Sequence, residues 1–133
     1  MQYHKRSAVI IIKDEKILLI HRIKNDNEYY AFPGGTIEKN EKSEETAIRE
    51  IKEETNLDIV LDKLLWEYKD EHHYGYYFLA KTFEGKIKLG WPETGRNNPN
   101  NQYNLEWIKL DNLDNILLYP EEIAKRIKQT FNK

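Results

Sequence analysis

Two runs of β-branched and aliphatic residues open the chain, residues 7–12 (SAVIII) and 17–23 (ILLIHRI). The polar tetrapeptide Lys13-Asp14-Glu15-Lys16 between them reads as a tight turn, so the pattern predicts a hairpin. After a polar loop over residues 25–28, Tyr30-Ala31-Phe32 leads into Pro33-Gly34-Gly35. The proline holds its predecessor extended, and the glycines permit positive φ. The spacing then predicts a helix over 43–55, with Ser43 as its cap and Glu44 and Glu45 where the helix dipole favours anions. Residues 57–68 and 73–83 read as two longer strands. Gly85 reads as a turn into a short strand over 86–89, residues 90–104 as a polar loop, and 105–110 as a further strand. Pro120 suits the first turn of a last helix, whose Ile123, Ile127 and Phe131 recur every four residues on an inward face. No repeat or linker interrupts this order. It predicts one α/β domain over residues 1–133, with two main helices covering a central mixed β-sheet.

Composition narrows the partners. A chain of 133 residues, 39% hydrophobic and 33% charged, has the make-up of a folded domain. Its 21 Lys and Arg against 23 Asp and Glu give a net charge of −2, without the basic excess that coating nucleic acid needs. No stable nucleic-acid partner is therefore expected, while a small phosphorylated metabolite fits. The absence of cysteine excludes disulfides, thiolate zinc sites and cysteine nucleophiles. The first residues lack the apolar core of a secretion signal, and the apolar runs at 8–12 and 17–20 are too short to span a bilayer. The expectation is a cytoplasmic protein with no membrane partner, monomeric or homodimeric.

The most informative segment is residues 35–57, GTIEKNEKSEETAIREIKEETNL. On a wheel of about 100° per residue, Ala47, Ile48, Ile51 and Thr55 share the face predicted to meet the sheet. Glu50, Glu53 and Glu54 share the adjoining arc. Three carboxylates at that spacing repel one another and weaken a helix. A hard divalent cation reverses the sign, because Mg2+ prefers carboxylate oxygens and shares its remaining positions with water and phosphates. Arg49, four residues before Glu53, is placed to pair with it, and Glu41 to steady Arg49.

The same residues resemble the Nudix box of the MutT-like Nudix hydrolases, G-x5-E-x7-R-E-U-x-E-E-x-G-U with U aliphatic. Gly35 begins it, Glu41 and Arg49-Glu50 follow at the required intervals, Ile51 is the aliphatic position, and Glu53-Glu54 and Leu57 close it. Asn56 stands where the family has Gly; Asn is the next-best residue at a left-handed helix C-cap. At this chain's own residue frequencies, such a match arises by chance in roughly a few chains per million. The box covers 23 residues, and Phe32-Pro33-Gly34 upstream agrees as well.

The resemblance implies a Nudix-type α/β/α sandwich and metal-dependent hydrolysis of a nucleoside diphosphate linked to a further group. That group makes the substrate a nucleoside triphosphate, a dinucleoside polyphosphate or a nucleotide sugar. It implies Mg2+, with Mn2+ as a substitute, held by the carbonyl of Gly35 and by Glu50, Glu53 and Glu54. Arg49 orients the cluster, and Gly34 and Gly35 let the backbone approach phosphate. Family members differ in the base that takes water's proton. Glu53 in the box and Glu93 in Trp91-Pro92-Glu93 are the candidates here, with Asp70, Glu71 and Glu106 behind them. Arg22 stands where relatives carry a basic residue and reads as a phosphate contact or a surface ion pair. Tyr30 occupies an aromatic position of the family, and Tyr30, Tyr74, Tyr76, Trp91 and Tyr103 are candidates to stack a base. Tyr74 also sits where dinucleoside polyphosphate hydrolases have a Tyr. The alternative is a catalytically silent nucleotide-binding module, although non-catalytic relatives commonly lose one of Arg49, Glu50, Glu53 and Glu54. No GxxxxGK[ST], HExxH or GxSxG motif is present.

Overall fold

Residues 7–11 are buried without a break, so this segment is covered on both faces. In the computed structural model, which describes residues 4–90 and 98–131, strand β1 (Lys5–Ile10) lies inside a four-stranded sheet. It runs antiparallel to β5 (Gly34–Thr36) on one side and parallel to β7 (Tyr74–Glu84) on the other; β7 pairs antiparallel with the edge strand β6 (Asp58–Lys69). Side chains alternate along a strand, and here the alternation divides two cores. Ala8 and Ile10 join a cluster with Ile123, Ala124 and Ile127 of the last helix, α2 (Glu121–Phe131). Val9 and Ile11 join a second cluster with Ala47 and Ile51 of α1 (Ser43–Thr55). Strand β3 (Lys16–Lys24) repeats the division, with Ile17 and Leu19 in the first cluster and Leu18 in the second. The result is the expected sandwich, strands between two helices.

The strand layer is two sheets. In the second, β2 (Ile12–Lys13), β3, β4 (Asn27–Ala31) and β9 (Leu118–Tyr119) follow in order, and β8 (Asn101–Lys109) pairs with β3. The predicted hairpin therefore survives only as β2 against the start of β3, closed by Asp14 and Glu15 at φ 52° and 64°. The preceding strand, β1, pairs instead with β5 and β7 in the other sheet.

Four local expectations change. Helix α1 begins at Ser43 after Lys42, whose N–H donates to Glu45 Oε1 at 2.9 Å, so Ser43 is not the cap. Ile48 is exposed and Thr46 takes its place among the buried residues. No strand forms over 86–89, whose backbone bonds to the end of α1 instead. Strand β8 starts at Asn101, inside the stretch read as loop. A 3-10 turn (Leu110–Asn115), which buries Leu110 and Leu113, and β9 were not foreseen. No helix among the described residues is long and apolar enough to cross a membrane.

Candidate active site

The box glycines and the helix meet because Gly34 is paired with Ala8 on β1 at φ 156°. Its N–H, turned toward α1, donates to Glu54 Oε1 at 2.9 Å. Glu54 is thereby buried, at 7% exposure, rather than lying on an open acidic face. Glu50 sits against the neighbouring glycine: a Cβ on Gly35 would fall 2.1 Å from its Cδ. Glycine at 35 is what leaves space for that carboxylate.

Arg49 collects the remaining acids. Its Nε and Nη2 donate to the two oxygens of Glu41 at 2.7 and 2.9 Å. Its Nη1 bridges Glu50 Oε1 at 2.9 Å and Glu53 Oε2 at 3.1 Å. The expected repulsion along α1 is thus partly answered within the chain. One guanidinium among the four carboxylates of Glu41, Glu50, Glu53 and Glu54 still leaves three negative charges in excess. Among the described residues no three acidic or histidine side chains converge as a ready chelate, and Nη1 lies between Glu50 and Glu53. The donor set is nonetheless that of a hard divalent cation: carboxylate oxygens beside the Gly35 backbone, with the Gly35 cradle filled by Glu50.

Glu41 is the strut of this network. Its hydrogen bonds from Arg49 first, and then from Thr46 Oγ1 at 2.5 Å, hold its carboxyl down at about 2. The bonds to Glu41 in turn raise the Arg49 guanidinium further above its ordinary value. A carboxyl lowered by folding stabilises the fold fully above its unfolded pKa, and that stabilisation disappears as pH falls through the folded value. Urea unfolding between pH 4.5 and 2 is expected to show wild type losing stability more steeply than Glu41→Gln. Parallel curves would remove Glu41 from the strut.

Glu50, Glu53, Glu54, Gly34 and Gly35 all face one cavity of about 810 Å³. Its other wall is aromatic and basic. Arg22 lies 3.7 Å above the ring of Tyr103, fixed by bonds from Nη2 to Asn101 Oδ1 at 2.6 Å and from Nε to Gln102 O at 3.3 Å. Among the described residues no carboxylate lies within ion-pair distance of Arg22. Tyr29 and Tyr119 line the same wall, their rings edge to face at 5.7 Å.

Tyr30 is a correction. Register pairs Arg22 with Tyr29, and alternation sends Tyr30 to the opposite face, where it stacks on His21 at 4.4 Å. It does not line the cavity; Tyr29, its neighbour, does. Glu106 is on that far face too, its Oε2 accepting a hydrogen bond from His21 Nδ1 at 2.5 Å. Asp70 is consumed by a turn, accepting the N–H groups of His72 and His73 at 2.8 and 2.7 Å and the Tyr68 hydroxyl. Glu71 is exposed. None of these three acids lines the cavity, whereas Tyr74 does and Tyr76 does not. Trp91 and Glu93 lie outside the described residues. Arg6, Tyr29 and Tyr119 also line the cavity and went unremarked in the sequence; parity with Arg22 was the available signal for Tyr29.

Comparison with known proteins decides the family. The family model described as NUDIX domain matches residues 3–130. This chain belongs to the Nudix family. With membership comes the enzyme class, a hydrolase acting on phosphoanhydride bonds. The Nudix chain is 34% identical over 123 residues to an ADP-ribose pyrophosphatase of Methanocaldococcus jannaschii, covering 87% of this chain and 68% of the relative. It is 27% identical over 90 residues to an 8-oxo-dGTP diphosphatase of Proteus vulgaris, covering 63% and 80%. The crystal structure of a MutT Nudix hydrolase from Burkholderia pseudomallei superimposes with a TM-score of 0.72 at 26% identity, covering 98% and 99%.

Proposed function

We propose that this Nudix hydrolase cleaves the phosphoanhydride of a nucleoside diphosphate carrying a further group. The observation that carries this reading is the pairing of two unlike walls in one cavity. The glutamates of α1 stand with Gly34 and Gly35 on one side, and Arg22, Tyr103, Tyr29 and Tyr119 on the other. A diphosphate repels a nucleophile until its charge is neutralised; a bound divalent cation, Mg2+ or Mn2+, supplies that neutralisation and acidifies water. Glu50, Glu53, Glu54 and the Gly35 carbonyl are the groups that would hold it. Arg49 keeps Glu50 and Glu53 within one hydrogen-bond length of a common point, and Glu41 keeps Arg49 there. Glu53, the most exposed of the three carboxylates with its side chain at 51%, is the one of them most open to accept a proton from attacking water. Glu93 is the rival base. The Arg22–Tyr103 pair, 3.7 Å from guanidinium to ring centre, and the two further tyrosines offer π-faces to a base, which makes Arg22 a wall of the base subsite rather than a phosphate ligand.

The test is turnover of nucleoside diphosphate derivatives with Mg2+, Mn2+ or EDTA, reading released phosphate or monophosphate. ADP-ribose and 8-oxo-dGTP, the compounds in the names of the two relatives, are the first substrates to try. Stacking contributes ~1–3 kcal/mol per base, so Tyr103→Ala is expected to lower kcat/KM about 5- to 150-fold on these compounds and to leave a base-free alkyl diphosphate unaffected. Failure to turn over any nucleoside derivative with either metal would favour the silent binding module.

A further inference from the structure

The residues after β7 do not form the strand their sequence suggests. They run as a strap across the C-terminal end of α1, the helix that carries Glu50, Glu53 and Glu54. The last carbonyls of a helix have no partner inside it. Here Lys88 N–H donates to Thr55 O at 2.9 Å and Gly90 N–H to Glu54 O at 3.1 Å. The strap is tied to the helix a third time, by Asn56. That residue holds the left-handed C-cap at φ 70°, with its own N–H on Lys52 O at 3.0 Å. Its side-chain Nδ2 reaches back to Lys86 O at 3.0 Å. The glycine usual at this box position would cap the helix equally well and make no such tie. Gly90 closes the strap directly on the acidic turn: a Cβ there would lie 1.6 Å from Glu53 O and 2.9 Å from its carbonyl carbon. No rotamer change relieves a contact with backbone.

We infer that Asn56 and Gly90 are positioning residues, which fix the backbone of Glu53 and Glu54 and so set the metal affinity of the site. This rests on the proposed role of those glutamates. The alternative role, ordinary helix capping, affects stability alone, and the two separate by measuring Mn2+ binding calorimetrically at a temperature far below unfolding. Gly90→Ala is expected to weaken Mn2+ binding about tenfold, the low end for loss of a group that supports metal ligands. Asn56→Gly, which keeps the left-handed cap and deletes only the tie, is expected to weaken it about threefold with little change in thermal midpoint. Ile127→Val, in the other core, is the control for destabilisation and should bind as wild type does. If Gly90→Ala does not fold, Asn56→Gly decides. Wild type that binds Mn2+ alongside an Asn56→Gly variant of equal affinity overturns the positioning role. Wild type that does not bind Mn2+ overturns the metal reading, and the positioning role with it.

Discussion

Replacing Glu54 or Glu50 by Gln is expected to lower kcat well over tenfold while the fold persists. Each substitution keeps the size and shape of the side chain and removes one negative charge from the site proposed to hold a divalent cation against a diphosphate. Glu54 is the cleaner of the two. Its Oε1 accepts the Gly34 N–H, and a glutamine presents an oxygen at the same place, so that hydrogen bond has no reason to break. Glu54→Ala would differ: it strands a buried N–H at a cost of about 1–3 kcal/mol, and its lost activity would mix chemistry with loosened structure. At Glu50 the neutral side chain still fits the space above Gly35 but binds Arg49 Nη1 less strongly, which frees the guanidinium to swing toward Glu41 and Glu53. The measurement is steady-state release of phosphate or monophosphate across a Mg2+ titration, with circular dichroism and thermal unfolding alongside. Full activity in both variants would take these residues out of the mechanism.

How much of this was legible in the sequence depended on whether a residue's role was local. Helix α1 spans Ser43–Thr55 as expected, because its apolar period and its left-handed Asn56 are both properties of neighbouring residues. The Arg49–Glu41 pair was also legible, as an eight-residue reach across a helix start. Strand partners were not. A run such as residues 7–11, buried without a break, carries no alternation to say which side a partner lies on, and β1 pairs in parallel with β7, far along the chain. The choice between Tyr29 and Tyr30 rested on parity alone, which only the β3–β4 register fixes. The three box glutamates look equivalent on a helical wheel, yet Glu54 is buried against a backbone amide while Glu50 and Glu53 share Arg49 Nη1 and are more exposed. Those differences come from a loop and a strand that the wheel does not include.

Gly34→Ala is expected to cost about 3 kcal/mol or more and, with it, most of the activity. Two independent penalties coincide there. The backbone is at φ 156°, a conformation that L side chains rarely adopt. The added Cβ would also lie 2.1 Å from Ser7 O and 2.7 Å from Ala8 Cα. Both atoms belong to the backbone of β1, which is held on its other side by six paired positions of β7, so the strand cannot step aside. Relief must come from β5 lifting away, and that movement withdraws the N–H on which Glu54 depends. Stability and metal binding should therefore fall together in this variant, unlike Glu54→Gln, where metal binding and activity fall while stability holds. For a domain of this size such a loss corresponds to a thermal midpoint lower by roughly 10 °C. A Gly34→Ala protein with wild-type midpoint and wild-type Mn2+ affinity would mean that β5 accommodates a methyl group, and that Glu54 is held by something other than the Gly34 amide.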